Sequence, residues 1–312
     1  MIFRLFQTNI IFGYILSYLI SLLVFLTSKS NLKIEKGTFL YSLMGDSTIA
    51  HGALIAVVIL SLPITLIRFY QKNNLHPKSV YFQHFLYLTL IYPILIQFNW
   101  IDILVIPLVI GSIHQIMTTY NKTNVLAETF QSGMFLGIAS LLKPEILFLY
   151  PFLIIANAVF QSFNLVNIVY ITCGLISIPL IIYGFDLSDH LDIIGSYTTS
   201  LSNLSFKFQA FSSNLYELAP GGFFALLAVL HLFKRVTYLN IRQQLNRYVL
   251  IWLMLFSIPF FFLSGSVLLG VFLIAFAIST PLNHQFKNMK KPILADFEYL
   301  LIILSSLYLI NL

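Results

Sequence analysis

GMFLGIASLLKPEILFLYPFLIIANAVF, from Gly133 to Phe160, is an apolar run broken by charge at one point, Lys143-Pro144-Glu145. Proline removes a backbone donor and clashes with the turn before it, so a helix that begins near Gly133 ends there. Charge in or near lipid costs several kcal/mol unless it reaches water or a partner. The triplet therefore marks a boundary between two apolar segments, of which the first, 131–142, is short for a span and reads as a half-span or a broken helix that reaches into a cavity.

Runs of the same kind recur along all 312 residues, roughly at 9–27, 48–67, 80–98, 101–118, 131–142, 145–161, 165–184, 219–233, 248–263, 266–280 and 294–311. A straight helix needs about 20 residues to cross a ~30 Å hydrocarbon core. Composition agrees: 59% of residues are hydrophobic and 9% charged, where a soluble domain carries about 25% charged residues. Such a chain expects lipid as its solvent, and long apolar runs imply helices rather than a barrel. The expected fold is an all-α polytopic bundle of about eleven transmembrane helices, forming a single integral membrane domain over 1–312. The first run is too long for the core of a cleavable signal and reads as a retained span. The single cysteine, Cys173, lies inside an apolar run and reads as a small core or lipid-facing side chain.

Sidedness follows from Lys and Arg in alternate loops. With the amino terminus in the cytoplasm, the inner segments collect Arg4, Arg68, Lys72, Lys78, Lys122, Lys234, Arg235, Arg242, Arg247, Lys287, Lys290 and Lys291. The expected location is the inner membrane, multi-pass, with a periplasmic carboxyl terminus. Acids gather outside: Glu35, Asp46, Asp102, Glu145, Asp186, Asp189, Asp192 and Glu217. Two outer segments, about 28–47 and 186–221, are long enough to build a site. On the inner side, Tyr120 to Gln131 reads as a short interfacial helix. Lys234 to Arg247 reads as a basic amphipathic stretch that anchors to anionic headgroups. The net charge of +6 reports these loops and not nucleic-acid binding.

Several outer residues have the chemistry of a site. Lys143 would bind an anionic phosphate at the mouth of a cavity opened by Pro144, with Glu145 beside it; a tight turn with the two side chains paired explains the same residues. Asp46 would serve as a general base or metal ligand, or equally as an amino-terminal cap ahead of Ser47 and Thr48. His51, a little over one turn on, would share that site or sit neutral in a polar patch. Asp186, Asp189 and Asp192 share one face if helical and would hold a divalent metal ion through oxygen ligands; a solvated helix start explains them too. There is no Walker loop, no His pair at haem-like positions, and almost no charge at mid-membrane depth, which argues against a proton-coupled pump.

The lead Phe3-Arg4-Leu5-Phe6, the stretch from Gln131-Ser132-Gly133-Met134 through Pro151, Arg247-Tyr248 opening a span, and the basic Lys287 to Lys291 turn together resemble the layout of a family of polytopic inner-membrane proteins of Bacteroidota, from which no activity carries over. Gly137-Ile138-Ala139-Ser140-Leu141-Leu142-Lys143-Pro144, with Pro151 following, more distantly resembles a helix ending in Lys-Pro in membrane glycosyltransferases of the GT-C fold. That resemblance implies an outer-face site, a polyprenyl-phosphate-linked sugar as donor and a carboxylate in the first outer loop, where Asp46 stands beside Glu35. No Asp-Asp, Asp-x-Asp or Glu-x-Asp motif occurs in that loop. Three functions follow as expectations. In the first, polyprenyl-phosphate sugar is handled at the outer face, with Asp46 as base and Lys143 on the phosphate. The second is a non-catalytic subunit or assembly factor of an envelope complex. The third is a lipid or small-solute transporter. The expected partners are membrane lipids, polyprenyl-phosphate lipid or an envelope protein.

Overall fold

The computed structural model describes residues 64–73, 100–161, 163–184, 240–261 and 267–288, together with Ile15, Leu19, Ala53 and Val57. Regular structure among them is helical throughout. Helical residues 64–72 are α1, followed by α2 (Trp100–Met117), α3 (Leu126–Leu142), a 3-10 turn (Pro144–Leu149), α4 (Tyr150–Phe160), α5 (Leu165–Gly184), α6 (Ile241–Ser257), a second 3-10 turn (Ile258–Phe261) and α7 (Val267–Asn288).

The all-α expectation holds for these residues, but the count of about eleven spans does not carry over to them. Among the described residues no helix is long and apolar enough to cross a membrane. α5 comes nearest, with twenty residues, no charged side chain and Pro179 inside it.

α3 is the centre of the arrangement, packed closely against α5 on one side and α2 on the other. Its contact with α5 is made by backbone. A Cβ on Gly133 would collide with the carbonyl oxygen of Ile171, and one on Gly137 would lie 2.5 Å from that of Leu175. On the facing helix, a Cβ on Gly174 would collide with the carbonyl oxygen of Phe130. Four residues along α3 match four along α5, so the two helices run parallel. Only glycine permits this approach, the geometry of a small-xxx-small contact. On the α2 side, the Ser112 hydroxyl donates to the Ser132 carbonyl at 2.9 Å and lies 3.1 Å from the Ser132 hydroxyl.

The α2–α3 connection departs from the expected interfacial helix over 120–131. Residues 118–121 form a turn, and Leu126 onward belongs to α3. Asn121 takes φ 58°, a left-handed conformation that asparagine tolerates. This reverses the chain. The side-chain oxygen of Asn124 then accepts from the Leu126 amide at 3.2 Å, helping the helix start. The apolar residues Val125 and Leu126, which suggested a surface helix, open a longer one instead.

The expected break after α3 is present. The helix ends at Leu142, Lys143 is extended at φ −147° and ψ 100°, and Pro144 opens the 3-10 turn where its missing donor costs nothing. The chain then returns as α4. Phe152 near the start of α4 packs on Phe256 near the end of α6, while the other ends of these two helices meet around residues 119–122. The two run antiparallel. Aromatic packing of Phe69 and Tyr70 on Phe276 joins α1 to α7. One continuous core runs through all seven helices and both 3-10 turns, with Leu136 and Ala139 of α3 and Ile171 of α5 among its members.

The three glycines give a sharp test. Gly133→Ala should destabilise the chain by about 1–3 kcal/mol. Gly111→Ala, whose Cβ would sit 3.6 Å from the Phe135 ring in ordinary contact, should be tolerated. Thermal unfolding of the two purified variants in the same detergent checks this. Equal midpoints would contradict the close α3–α5 approach.

Candidate functional site

Alternating helix direction sorts the charged residues to two ends. α1, α2 and α4 finish, and α3 and α6 begin, at the same end. Lys72, Lys122, Arg242 and Arg247 all lie there. Lys143 and Glu145 lie at the opposite end, where α3 stops.

The basic end is built on buried amides. The Asn73 side-chain nitrogen donates to the Phe69 carbonyl at 2.9 Å, so its orientation is set, and it lies 2.9 Å from Nδ1 of His114. His114 Nδ1 then accepts, and a neutral ring carries its proton on Nε2. The Asn246 side-chain nitrogen donates to the Asn73 carbonyl at 2.5 Å. This ties the end of α1 to α6. Beside it the Arg242 guanidinium donates to the Lys72 carbonyl at 3.2 Å and stands over the Tyr120 ring, 5.8 Å from its centre. Gln161, at the end of α4, donates to the carbonyls of Thr119 (2.6 Å) and Lys122 (3.3 Å), clamping the turn. Three polar atoms in this assembly are buried without a hydrogen-bond partner: the side-chain oxygens of Asn73 and Asn246 and Nε of Arg242.

Tyr70 is fully buried, and its hydroxyl sits 3.1 Å from the Ser279 hydroxyl. Burial raises its pKa, more than the Ser279 hydrogen bond lowers it. Arg247 corrects the expectation for the Lys234–Arg247 stretch. It is 7% exposed and not a solvated anchor. Desolvation brings its pKa down to about 10, and among the described residues no carboxylate pairs with it.

At the other end, Lys143 and Glu145 are both half-buried. One carboxylate oxygen of Glu145, Oε2, is buried with no hydrogen-bond partner. The structure thus brings Lys143 and Glu145 to one turn. Asp46 and His51, and likewise Asp186, Asp189 and Asp192, lie outside the described residues. Among the described residues no three His, Cys, Asp or Glu side chains come together to hold a metal. Cys173 is an exposed thiol on α5 and not the core side chain that was one of its two expected placements. The Asn73–His114–Asn246 network was not anticipated. Each member sits at the polar end of an apolar run, the one signal available for it.

No family model, curated protein or solved structure matches the chain.

One ion pair is formed near the basic end, between Lys122 and Glu128. Its hydrogen bond holds the Glu128 carboxyl below its ordinary pKa, against a smaller opposing push from burial. A depressed carboxyl contributes stability above its unfolded pKa and loses it as pH falls through the folded one. Lys122→Gln should therefore move the Glu128 midpoint upward in a carboxyl-carbon NMR titration. Because the pair is partly exposed, it should change stability at neutral pH by less than ~1 kcal/mol. An unmoved midpoint would mean the pair does not form in solution.

Proposed function

We propose that the chain is an integral membrane protein that handles a polyprenyl-phosphate-linked sugar at its outer face, with the Lys143–Pro144–Glu145 turn as the place where the donor's phosphate is met. Membrane embedding draws first on composition and second on α5. The stripe Asn167, Ile171 and Gly174 faces the bundle, while Val166, Val169, Tyr170, Cys173, Ile176, Leu180 and Ile181 face outward. A helix that turns its apolar side away from its own core, with no charge on that side, suits hydrocarbon and not water. The hydroxyls inside the bundle fit the same setting. Thr129, Ser140, Thr172 and Ser177 each bond a carbonyl one turn back on their own helix, and the Tyr150 hydroxyl meets that of Thr172 at 2.7 Å.

One observation carries the donor site. The helix break sets the Lys143 ammonium on the same short turn as Glu145, whose buried Oε2 has no hydrogen-bond partner. An unmatched buried acceptor costs about 1–3 kcal/mol. A hydroxyl-rich ligand relieves that cost by donating to Glu145 Oε2 while Lys143 attracts its phosphate. In this reading Asp46 takes the proton of the acceptor hydroxyl as the bond from anomeric carbon to phosphate oxygen breaks. The polyprenyl phosphate leaves with its negative charge, which the Lys143 ammonium offsets. Asp186, Asp189 and Asp192 are the residues that would hold a divalent ion if the reaction takes one. A second reading, a non-catalytic subunit of an envelope complex, draws on the same outward face of α5 as a surface for a partner helix.

The test uses purified full chain with a short-chain polyprenyl-phosphate sugar. Native mass spectrometry should show the lipid bound, retention should fall about tenfold in Lys143→Gln and Glu145→Gln, and transfer should be abolished in Asp46→Asn. If both turn variants hold the lipid as the parent chain does, the donor site is not at this turn. A stoichiometric protein partner and no bound lipid would favour the second reading.

A further inference from the structure

The basic end of the bundle has unspent binding capacity of one sign. Arg242 uses one Nη2 hydrogen on the Lys72 carbonyl and its face on Tyr120, yet its Nε is covered and has no hydrogen-bond partner. Lys72 and Arg242 both lie close enough to His114 to act on its ring electrostatically. Among the described residues no acid takes part in that group, and Glu128 is already engaged by Lys122. With Nδ1 of His114 turned to Asn73, the donor of its neutral ring is Nε2. α6 begins beside them at Asn240 with no side-chain cap and no acid in its first turn, so among the described residues no acid answers the positive pole of the helix.

Attraction of the cations to helix carboxyl ends explains part of this arrangement, since α1 and α2 both finish here. It does not explain the buried Arg242 donor, which a phosphate oxygen would satisfy. Arginine suits that ligand: its guanidinium is planar, always charged and already fixed by Tyr120, so little freedom remains to be lost on binding.

We propose that this end of the bundle holds a phosphate-bearing anion, gripped by Arg242 at the start of α6 with Lys72 and His114 beside it. The same chemistry is offered by the headgroup of an anionic lipid and by a soluble phosphate. The site lies at the opposite end from the Lys143 turn and does not rest on the transferase reading.

The full chain in phosphatidylcholine nanodiscs is titrated with dioctanoyl-phosphatidylglycerol and, separately, with inorganic phosphate. Bound lipid is counted by native mass spectrometry, and thermal unfolding is followed in parallel. Arg242→Gln should weaken binding about tenfold. Arg242→Lys, which keeps the charge and guards against a folding defect, should weaken it several-fold. Lys122→Gln, a basic residue of the same end already paired with Glu128, should stay within about twofold. Binding of phosphatidylglycerol alone assigns the site to a headgroup, and binding of inorganic phosphate as well assigns it to the bare anion. The proposal is overturned if neither ligand binds, if Arg242→Gln and Arg242→Lys bind as the parent chain does, or if Lys122→Gln loses as much as Arg242→Gln. That last result would reveal a diffuse basic surface and no site.

Discussion

The arrangement depends on two helices touching through their backbones. At Gly133, Gly137 and Gly174, α3 and α5 approach until carbonyl oxygens stand where side chains would. In water such contacts are uncommon, because burying large side chains is the stronger drive. In lipid the solvent is already as apolar as leucine, so close van der Waals contact and hydroxyl–carbonyl bonds replace hydrophobic burial as the source of specificity. Once α5 is held by a stripe of small residues, its large side chains have no place inward and face out. The seam and the outward apolar face are thus two results of one choice of residues.

How much of this was readable beforehand follows from range. The break at Lys143-Pro144 is a local event: proline chemistry decides it, and the helix ends one residue before Lys143. The gathering of Lys72, Lys122 and Arg242 at one end was also legible, because a chain that crosses back and forth returns its loops to the same side whatever the helices do between. The Gly133-xxx-Gly137 spacing stood in plain view within a stretch noticed only for its small residues and its Lys-Pro end. What was missing was the partner, since nothing local marks Gly174 as the residue opposite Phe130. The bond from Asn246 to the Asn73 carbonyl joins positions 173 apart in the chain, and such contacts leave no periodic trace. The interfacial helix expected over 120–131 failed for a different reason. Its amphipathic pattern was real, but Asn121 in a left-handed turn moved the helix start to Leu126.

The two ends of the bundle solve opposite electrostatic problems. Where α1 and α2 finish, unsatisfied carbonyls collect, and Arg242 and the amide of Asn246 answer them. The amide network links the end of α1 to α2 and α6 without using net charge. Where α3 finishes, the backbone is closed instead by the 3-10 turn: the Lys143 amide bonds the Ala139 carbonyl, and the Ile146 amide bonds that of Lys143. The side chains of Lys143 and Glu145 are consequently not needed to cap the helix.

That difference bears on where chemistry can be placed. A side chain engaged in closing a helix end cannot leave for a ligand without exposing the carbonyl it covers. Arg242 is in that position through Nη2, while its buried Nε is a donor with no partner. Glu145 carries no such duty on Oε2. The hydrogen bonds therefore divide the two ends: at one, polar side chains close the backbone, and at the other the backbone closes itself and leaves a carboxylate oxygen unmatched.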